Sequence, residues 1–461
     1  MLIDFILTNN CILIEMDKII TYYLATKASI NNKPVEKEEI TSDPLKGTTD
    51  VYELMPYYDY VFDLWKKILK TFNFKNYDLP MIERSKLYTI KNQDEDIVKE
   101  MITFKLEDQQ VCLRPELTPS LVRMITSKRL KTPIRLYNIG KFWRFETTTA
   151  DRKREFYQLN CDIVGEQSIM AEIELINMLV NIFQNLNLDN NRIIFRISHR
   201  RLIEEWLKIN LNLSSEKIIE IFHLLDKKNK IDNFEDQLLE LILNSADTRK
   251  LLEFISTENI DNIDNKNISP SYTKAVSDLK DLFTYAKYCG IDNYLKLDMT
   301  TVRGLNYYSG IVFECTEIGG SKSLCGGGRY DGITSTMNCN RDYSFVGCGI
   351  GLTPLLNILL KYNLLPQNII QEENKVEYAI ISTCNLMKKT VFDIANKLRK
   401  DEKSVLLIST TKLKKAMVEA NNSNVKTCII IAQTEWSQEK LIIKDMISGY
   451  QTIMKYDDFM R

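Results

Sequence analysis

The sequence predicts an α+β domain, an antiparallel sheet flanked by helices, that is interrupted by a helical insertion and followed by a smaller α/β domain. Three observations carry that expectation. Short β-rich runs cluster at residues 111–165 and return at 294–299 and 310–315. Residues 189–290 are mostly helical in pattern, rich in Asn, Asp, Lys and Glu, and contain only Pro270. From 378 to 444 strand and helix alternate, which implies a largely parallel sheet. A chain of 461 residues suits two or three domains, each burying its own core.

Along the chain, residues 1–42 form an N-terminal extension. Its opening stretch, 1–14, is apolar but interrupted by Asp4, Asn9 and Asn10 with no basic segment before it, so it reads as a buried strand or helix, not a signal peptide. The charged run 33–43 before Pro44 reads as a linker. In 56–71, Tyr57, Val61, Leu64, Trp65, Ile68 and Leu69 recur at helical spacing, and Pro56 suits a first turn. Residues 77–82, with Pro80, read as an edge strand. The runs 134–139 and 142–145 read as strands, followed by a polar loop at 147–153 and a helix over 169–186 with Met170, Ile173, Leu179, Ile182 and Phe183 on its apolar face. The first domain thus comprises 43–188 and 291–366, split by the insertion 189–290, which has loop-like stretches near 257–269. A helix begins near Thr353. After the polar stretch 371–375 the last domain, 375–461, runs strand 378–382, helix 387–399, strand 404–408, helix 412–420, strand 428–432 and strand 441–444.

Composition excludes several kinds of chemistry. Lys and Arg total 61 against 62 for Asp and Glu, so no overall basic field marks a nucleic-acid partner, although positive charge can be confined to one face. The ten cysteines include no C-x-x-C pair, which argues against a zinc knuckle and fits a reducing compartment. Histidine occurs only as His199 and His223, so no imidazole-rich metal site and no Ser-His or Cys-His scheme is expected. Chemistry here must run on Arg, carboxylate and Tyr. No apolar run is long enough to cross a bilayer, no arginine precedes Arg84, and a cytoplasmic protein without a membrane partner is expected.

The segment 140–165, GKFWRFETTTADRKREFYQLNCDIVG, places Arg144 and Glu146 at one strand end, then a polar loop, then Arg152 and Phe156 at the start of the next strand. Alternate strand residues share a face, so this arrangement can aim a guanidinium at a phosphate while a ring covers a base. A hairpin with surface ion pairs would explain any one of these residues alone. A second pair of segments, LDMTTVRGLNYY at 297–308 and CGGGRYDG at 325–332, combines glycines that admit close backbone approach with tyrosines that give a pocket polar-tipped walls. A third, LRPELTPSLVR at 113–123, can be read as a proline-shaped loop with Arg114 and Glu116 as an ion pair.

Together these segments resemble the class II aminoacyl-tRNA synthetases, and the second pair resembles the two histidine-pocket motifs found only in the histidyl-tRNA synthetases. The helix from Pro56 resembles the dimerisation motif, and the last domain, with AQTEW at 432–436, resembles the anticodon-binding domain. The resemblance spans roughly residues 43–457 and implies ATP-dependent activation of L-histidine, assisted by Mg²⁺, and transfer to tRNA(His) by a homodimer. It assigns Arg144 and Arg303 to catalysis at the α-phosphate. Glu146 and Phe156 frame the adenine, Arg152 faces the outer phosphates, and Glu116, Thr118 and Gln158 bind the substrate's α-amino group. Asp162 and Tyr308 hold the imidazole, and Tyr307 and Tyr330 close its pocket. No resident metal is implied. Two positions depart from the family pattern: Asn306 replaces an Asp, and Thr353 and Pro354 stand where motif 3 carries Glu and Arg. The rival expectations are a regulatory subunit for ATP phosphoribosyltransferase, which would lack the last domain, and a non-catalytic RNA-binding derivative, which would lose the pocket residues together.

Overall fold

The computed structural model describes residues 42–89, 95–128, 130–228, 231–263, 269–304, 307–320, 322–337, 342–370 and 375–461. The stretch 1–14, nearly all of the linker expected at 33–43, and Asn306 lie outside them. Met1–Lys46 and Gly47–Arg461 are separate units, and the site lies wholly in the second.

In chain order the first strands are β1 (Lys75–Asn76), β2 (Ile82–Arg84), β3 (Thr103–Leu106), β4 (Gln109–Leu113), β5 (Ile134–Trp143), β6 (Glu155–Val164), β7 (Ile193–His199), β8 (Leu295–Leu297), β9 (Ile311–Glu317), β10 (Ser323–Arg329) and β11 (Phe345–Gly351). Eight of them form the main sheet in the order β1-β5-β6-β11-β10-β9-β7-β8, while β2, β4 and β3 form a small antiparallel sheet. The main sheet is mixed, not wholly antiparallel as expected. Its two outer pairs, β1 with β5 and β7 with β8, run parallel. Each parallel pair needs a long crossover, and local residue patterns carry no information about the direction in which such a connection returns. The edge strand expected at 77–82 lies just before that range, at Lys75–Asn76, and of the range itself only Ile82 is in a strand; Pro80 falls between β1 and β2, where its missing N–H costs no ladder bond.

The segment expected as a helical insertion opens with β7, which belongs to the main sheet. Helices Arg200–Leu211, Ser215–Asp226, Phe234–Ile242, Ser245–Ile255 and Pro270–Cys289 follow. Their ends are written in the sequence: Ser214, Asn244 and Ser269 accept from backbone N–H groups as N-caps, Pro270 opens the last helix, and Gly290 closes it in the left-handed conformation. His199, one of two histidines in the chain, caps Arg200–Leu211 by accepting from Leu202.

Behind the main sheet, the helices Met55–Thr71 and Met170–Asn185 bury Val61, Trp65, Leu69, Ile173, Leu179 and Phe183 with Leu159, Cys161, Ile163 and Phe313 of the sheet. Trp65 is wholly enclosed by its own chain; truncating such a ring costs roughly 3–5 kcal/mol. It is therefore not available to a partner, although the helix that carries it resembles the dimerisation motif. In front lies a smaller core of Leu117, Leu121, Ile125, Phe142, Val312 and Phe345, together with Tyr308 and Tyr330.

The last domain contains β12 (Val376–Ser382), β13 (Val405–Ile408), β14 (Val425–Ile431), β15 (Lys440–Asp445) and β16 (Gln451–Lys455), ordered β13-β12-β14-β15-β16. The first three are parallel and the last two antiparallel. Helices Lys388–Lys400 and Leu413–Asn422 cover its two faces around separate apolar cores. Every residue of β16 is exposed, so it lacks the buried alternation by which a strand is read from sequence. Among the described residues no helix is long and apolar enough to cross a membrane.

Candidate active site

Strand register gathers the sequence-selected residues on the front face of the main sheet. On β6, Gln158, Asn160 and Asp162 point the same way and stand opposite Gly351, Gly349 and Gly347 of β11. Gly349 and Gly347 in turn face Gly326 and Gly328 of β10, and Gly326 faces Glu314 of β9. The middle of the face is therefore bare backbone, and neighbouring functional groups use the space. A Cβ on Gly347 would collide with Asp162 Oδ1; one on Gly349 would lie 2.7 Å from Gln158 Nε2, and one on Gly326 2.5 Å from Arg303 Cζ.

Asp162 is 5% exposed and accepts a 2.5 Å hydrogen bond from the Tyr330 hydroxyl. Burial lifts its carboxyl to about 7, against the Tyr330 bond, which favours the ionised form. The Tyr307 hydroxyl donates to Glu116 Oε2 at 3.0 Å with Thr118 beside it. Rings of Tyr307 and Tyr308 lie 5.0 Å apart, and those of Tyr307 and Tyr330 5.6 Å. Burial holds Tyr307 and Tyr330 well above the ordinary tyrosine range and pushes Tyr308 up to about 12, so all three hydroxyls stay protonated at neutral pH.

Arg303 sits at φ 58°, a left-handed conformation costing a side-chain-bearing residue roughly 1–2 kcal/mol. Its guanidinium passes over Gly326 to Glu314, 2.5 Å away, and its Nε is buried without a hydrogen-bond partner among the described residues. Burial opposes the charge, but Glu314, with Asp226 adding to it, holds the guanidinium above its ordinary value, so the cation is permanent. Arg144 donates through Nε to Pro115 O at 3.0 Å, and its guanidinium lies 5.5 Å above the Phe156 ring. Arg152 and Glu146 pair with each other at 3.1 Å across the mouth of their loop. Gln158 Nε2 donates to Asn160 Oδ1 at 2.6 Å.

The residues separate into two adjoining groups. Arg144, Glu146, Arg152, Phe156, Gln158 and Arg303 line one cavity of about 1380 Å³, joined by Thr353, Pro354 and Glu314. Glu116, Thr118, Asp162, Tyr307, Tyr308 and Tyr330 are not on its wall. Linked by the Tyr307–Glu116 and Tyr330–Asp162 hydrogen bonds, they form a tyrosine-lined cluster, and β6 carries Gln158 of the cavity wall and Asp162 of the cluster on one face. Pro354 packs over Gly351 in the first turn of helix Leu352–Lys361, where a missing N–H costs nothing. A fixed cation pair, a side-chain-free floor and a separate pocket built on a buried carboxylate suit condensation of a polyphosphate with a small substrate.

The family model for histidyl-tRNA synthetase matches residues 61–355, the whole of this site. The chain belongs to the histidyl-tRNA synthetase family. Histidine–tRNA ligase of Arabidopsis thaliana, named chloroplastic/mitochondrial, is 30% identical over 91% of this chain and 86% of its own. That of Leptospira biflexa is 29% identical over 93% and 98%, and that of Methanocaldococcus jannaschii 30% over 90% and 97%. The fold is shared with the crystal structure of histidyl-tRNA synthetase from Nostoc, with a TM-score of 0.71 at 22% identity over 91% of this chain and 98% of that one. It is also shared with a protein of Bacillus halodurans titled as ATP phosphoribosyltransferase regulatory subunit/histidyl-tRNA synthetase, with a TM-score of 0.70 at 19% identity over 86% and 99%.

Sequence reasoning in this synthetase-family chain missed several groups that hold the site. Arg114 does not pair with Glu116. It is buried and donates to Leu79 O at 2.8 Å, Lys141 O at 3.1 Å and Asp78 at 3.3 Å, fixing the turn on which Pro115 and Glu116 sit. Glu314 gave no signal because its partner lies on a different segment. Arg329 announced itself only as the residue after the glycines; it grips Glu172 of helix Met170–Asn185 with two bonds of 2.6 and 2.7 Å.

Proposed function

We propose that this member of the histidyl-tRNA synthetase family activates L-histidine with ATP to histidyl-adenylate and transfers the histidyl group to tRNA(His). Support comes chiefly from one observation: the Nε of Arg303, buried and without a hydrogen-bond partner among the described residues, above the bare Gly326 floor on the wall of a cavity that adjoins the Asp162–Tyr330 pair. In the first step a histidine carboxylate oxygen attacks the α-phosphorus of ATP and pyrophosphate leaves. Arg144 and Arg303 carry the charge that builds on the α-phosphoryl oxygens, an effect largest where donors are fixed beforehand. Phe156 and Glu146 frame the adenine, and Arg152 turns from Glu146 to the outer phosphates. Glu116, Thr118 and Gln158 hold the α-ammonium group, Asp162 and Tyr308 the imidazole, and Tyr307 and Tyr330 close around it. In the second step a terminal ribose hydroxyl of the tRNA attacks the carbonyl carbon and AMP leaves.

Among the described residues no three metal-type side chains converge, so those residues offer one or two carboxylates at most at any one point. That suits Mg²⁺, which keeps its waters and binds mainly through substrate phosphates. Glu314 is the carboxylate that would share in holding it, and the metal would supply charge neutralisation for the departing pyrophosphate. Where motif 3 lacks its arginine, the N-terminus of helix Leu352–Lys361 faces the cavity with its partial positive charge.

The helices between β7 and β8 form the insertion, and residues 375–461 the domain that reads the anticodon. The working form is a homodimer, supported by the exposed apolar side chains Met81, Ile82, Phe104 and Leu106 around the small sheet. Exchange of labelled pyrophosphate into ATP tests the reading: it should require histidine and Mg²⁺, and exchange supported equally by other amino acids would overturn it.

A further inference from the structure

Arg303 owes its position to its backbone, and that backbone is held from outside the motif that contains it. Arg200, the first residue of helix Arg200–Leu211, is only 6% exposed and donates from Nη1 to both Val302 O and Arg303 O at 3.2 Å. Its own backbone N–H donates to Gly310 O at 2.9 Å, anchoring it to the far end of the same loop. The guanidinium rests 4.5 Å above the ring of Phe222, which lies in the middle of helix Ser215–Asp226. At the end of that helix Asp226 lines the cavity, 3.7 Å from where a Cβ on Gly304 would lie. One planar cation therefore joins the helical segment to the two carbonyls that flank the left-handed turn at Arg303. A lone carbonyl contact could serve packing. Two carbonyls bracketing the one residue whose side chain crosses the bare floor constrain where that side chain goes.

We infer that Arg200 is a positioning residue for adenylate formation: it holds the Val302–Arg303 backbone so that the Arg303 guanidinium stays over Gly326, and it makes the helices after β7 part of the catalytic geometry. Arg200 touches no substrate. This deepens the proposed function and rests on it. A lysine has the charge, but its shorter side chain ends short of the Nη1 position that both carbonyls share, and it lacks the planar face that rests on Phe222.

The test is a mutant cycle read by histidine-dependent pyrophosphate exchange. Arg200→Lys should lower kcat about ten-fold and leave the histidine KM within about two-fold, because the Asp162 pocket is elsewhere. In an Arg303→Ala background the same change should cost nothing further, since its effect passes through the missing guanidinium. Phe222→Leu, which removes the ring beneath Arg200, should repeat the pattern with a loss of about three-fold. Losses that add in the Arg303→Ala background, or a raised histidine KM, would overturn the assignment, as would failure of both variants to fold. An inactive parent protein would instead overturn the functional reading itself.

Discussion

Replacing Asp162 by asparagine should make the protein more stable at alkaline pH while destroying its hold on histidine. Burial has raised the carboxyl from the ordinary 3.8 to about 7, so the folded protein binds this proton more tightly than the unfolded chain does. For an acid with a raised folded value, stability is fullest below the unfolded pKa. It falls as pH climbs between the two values, until the folded carboxyl too is ionised. Three units correspond to ~4 kcal/mol in all, of which ~2–3 kcal/mol is lost between pH 5 and pH 8. The amide introduced by Asp162→Asn would still accept from the Tyr330 hydroxyl and carries no charge, so the variant is spared this loss. Every other titrating group is common to both proteins and cancels in the difference. The assay is thermal or urea unfolding of parent and Asp162→Asn at pH 5 and pH 8 without substrate. The variant should gain on the parent as pH rises, by an amount within a factor of two of the figure above. A gap between the two that does not change with pH would refute the account, because it would mean that the buried carboxyl is not the titrating group. Histidine binding by calorimetry at pH 8 should fall at least about ten-fold for the same variant, since the imidazole loses a charged acceptor.

Three further outcomes follow from the same geometry. Gly326→Ala puts a methyl group 2.5 Å from Arg303 Cζ and should lower the exchange rate by about ten-fold or more with the secondary structure unchanged by circular dichroism; an unchanged rate would place Arg303 elsewhere during the reaction. Removing residues 371–461, whose cores are their own, should leave histidine-dependent exchange in place and abolish charging of full-length tRNA(His); charging that survives would deny the last domain its role. Leu106→Asp, at a half-exposed apolar position of the small sheet, should shift the sedimenting species from dimer to monomer, and a dimer that persists at low micromolar concentration would move the interface away from that sheet.

How much of this was legible in the sequence depended on the range of the interaction that each residue serves. Helix Met170–Asn185 and the capped helices after β7 follow from local periodicity and from Ser214, Asn244, Ser269 and Gly290, because a helix satisfies its backbone within itself. The glycines of β10 and β11 were visible as a composition, and the role of that pattern emerged only when pairing set Gly347 against Asp162. Parallel pairing of β1 with β5 and of β7 with β8 was not legible, since strand direction is fixed by crossovers of dozens of residues. Glu314 and Arg200 were missed, and Arg114 was given the wrong partner, for a related reason. Each is an ordinary charged residue whose partner is 11, 102 or 36 positions away.

The floor made by Gly326, Gly328, Gly347, Gly349 and Gly351 consists of main chain held in a ladder between flanking strands. Main chain in a central strand has no rotamers, so a ligand that settles on it immobilises nothing. The ordering entropy of binding, about 0.5–1.5 kcal/mol for each flexible side chain fixed, then falls only on the rim. There Arg303 is already tied to Glu314, Arg144 to the Pro115 carbonyl, and Asp162 to Tyr330. Most of the freedom that substrates would otherwise remove has thus been surrendered during folding, and the charges that stay looser on the rim include Arg152, whose side chain is 63% exposed and paired with Glu146, and Lys322, 67% exposed and paired with Asp151.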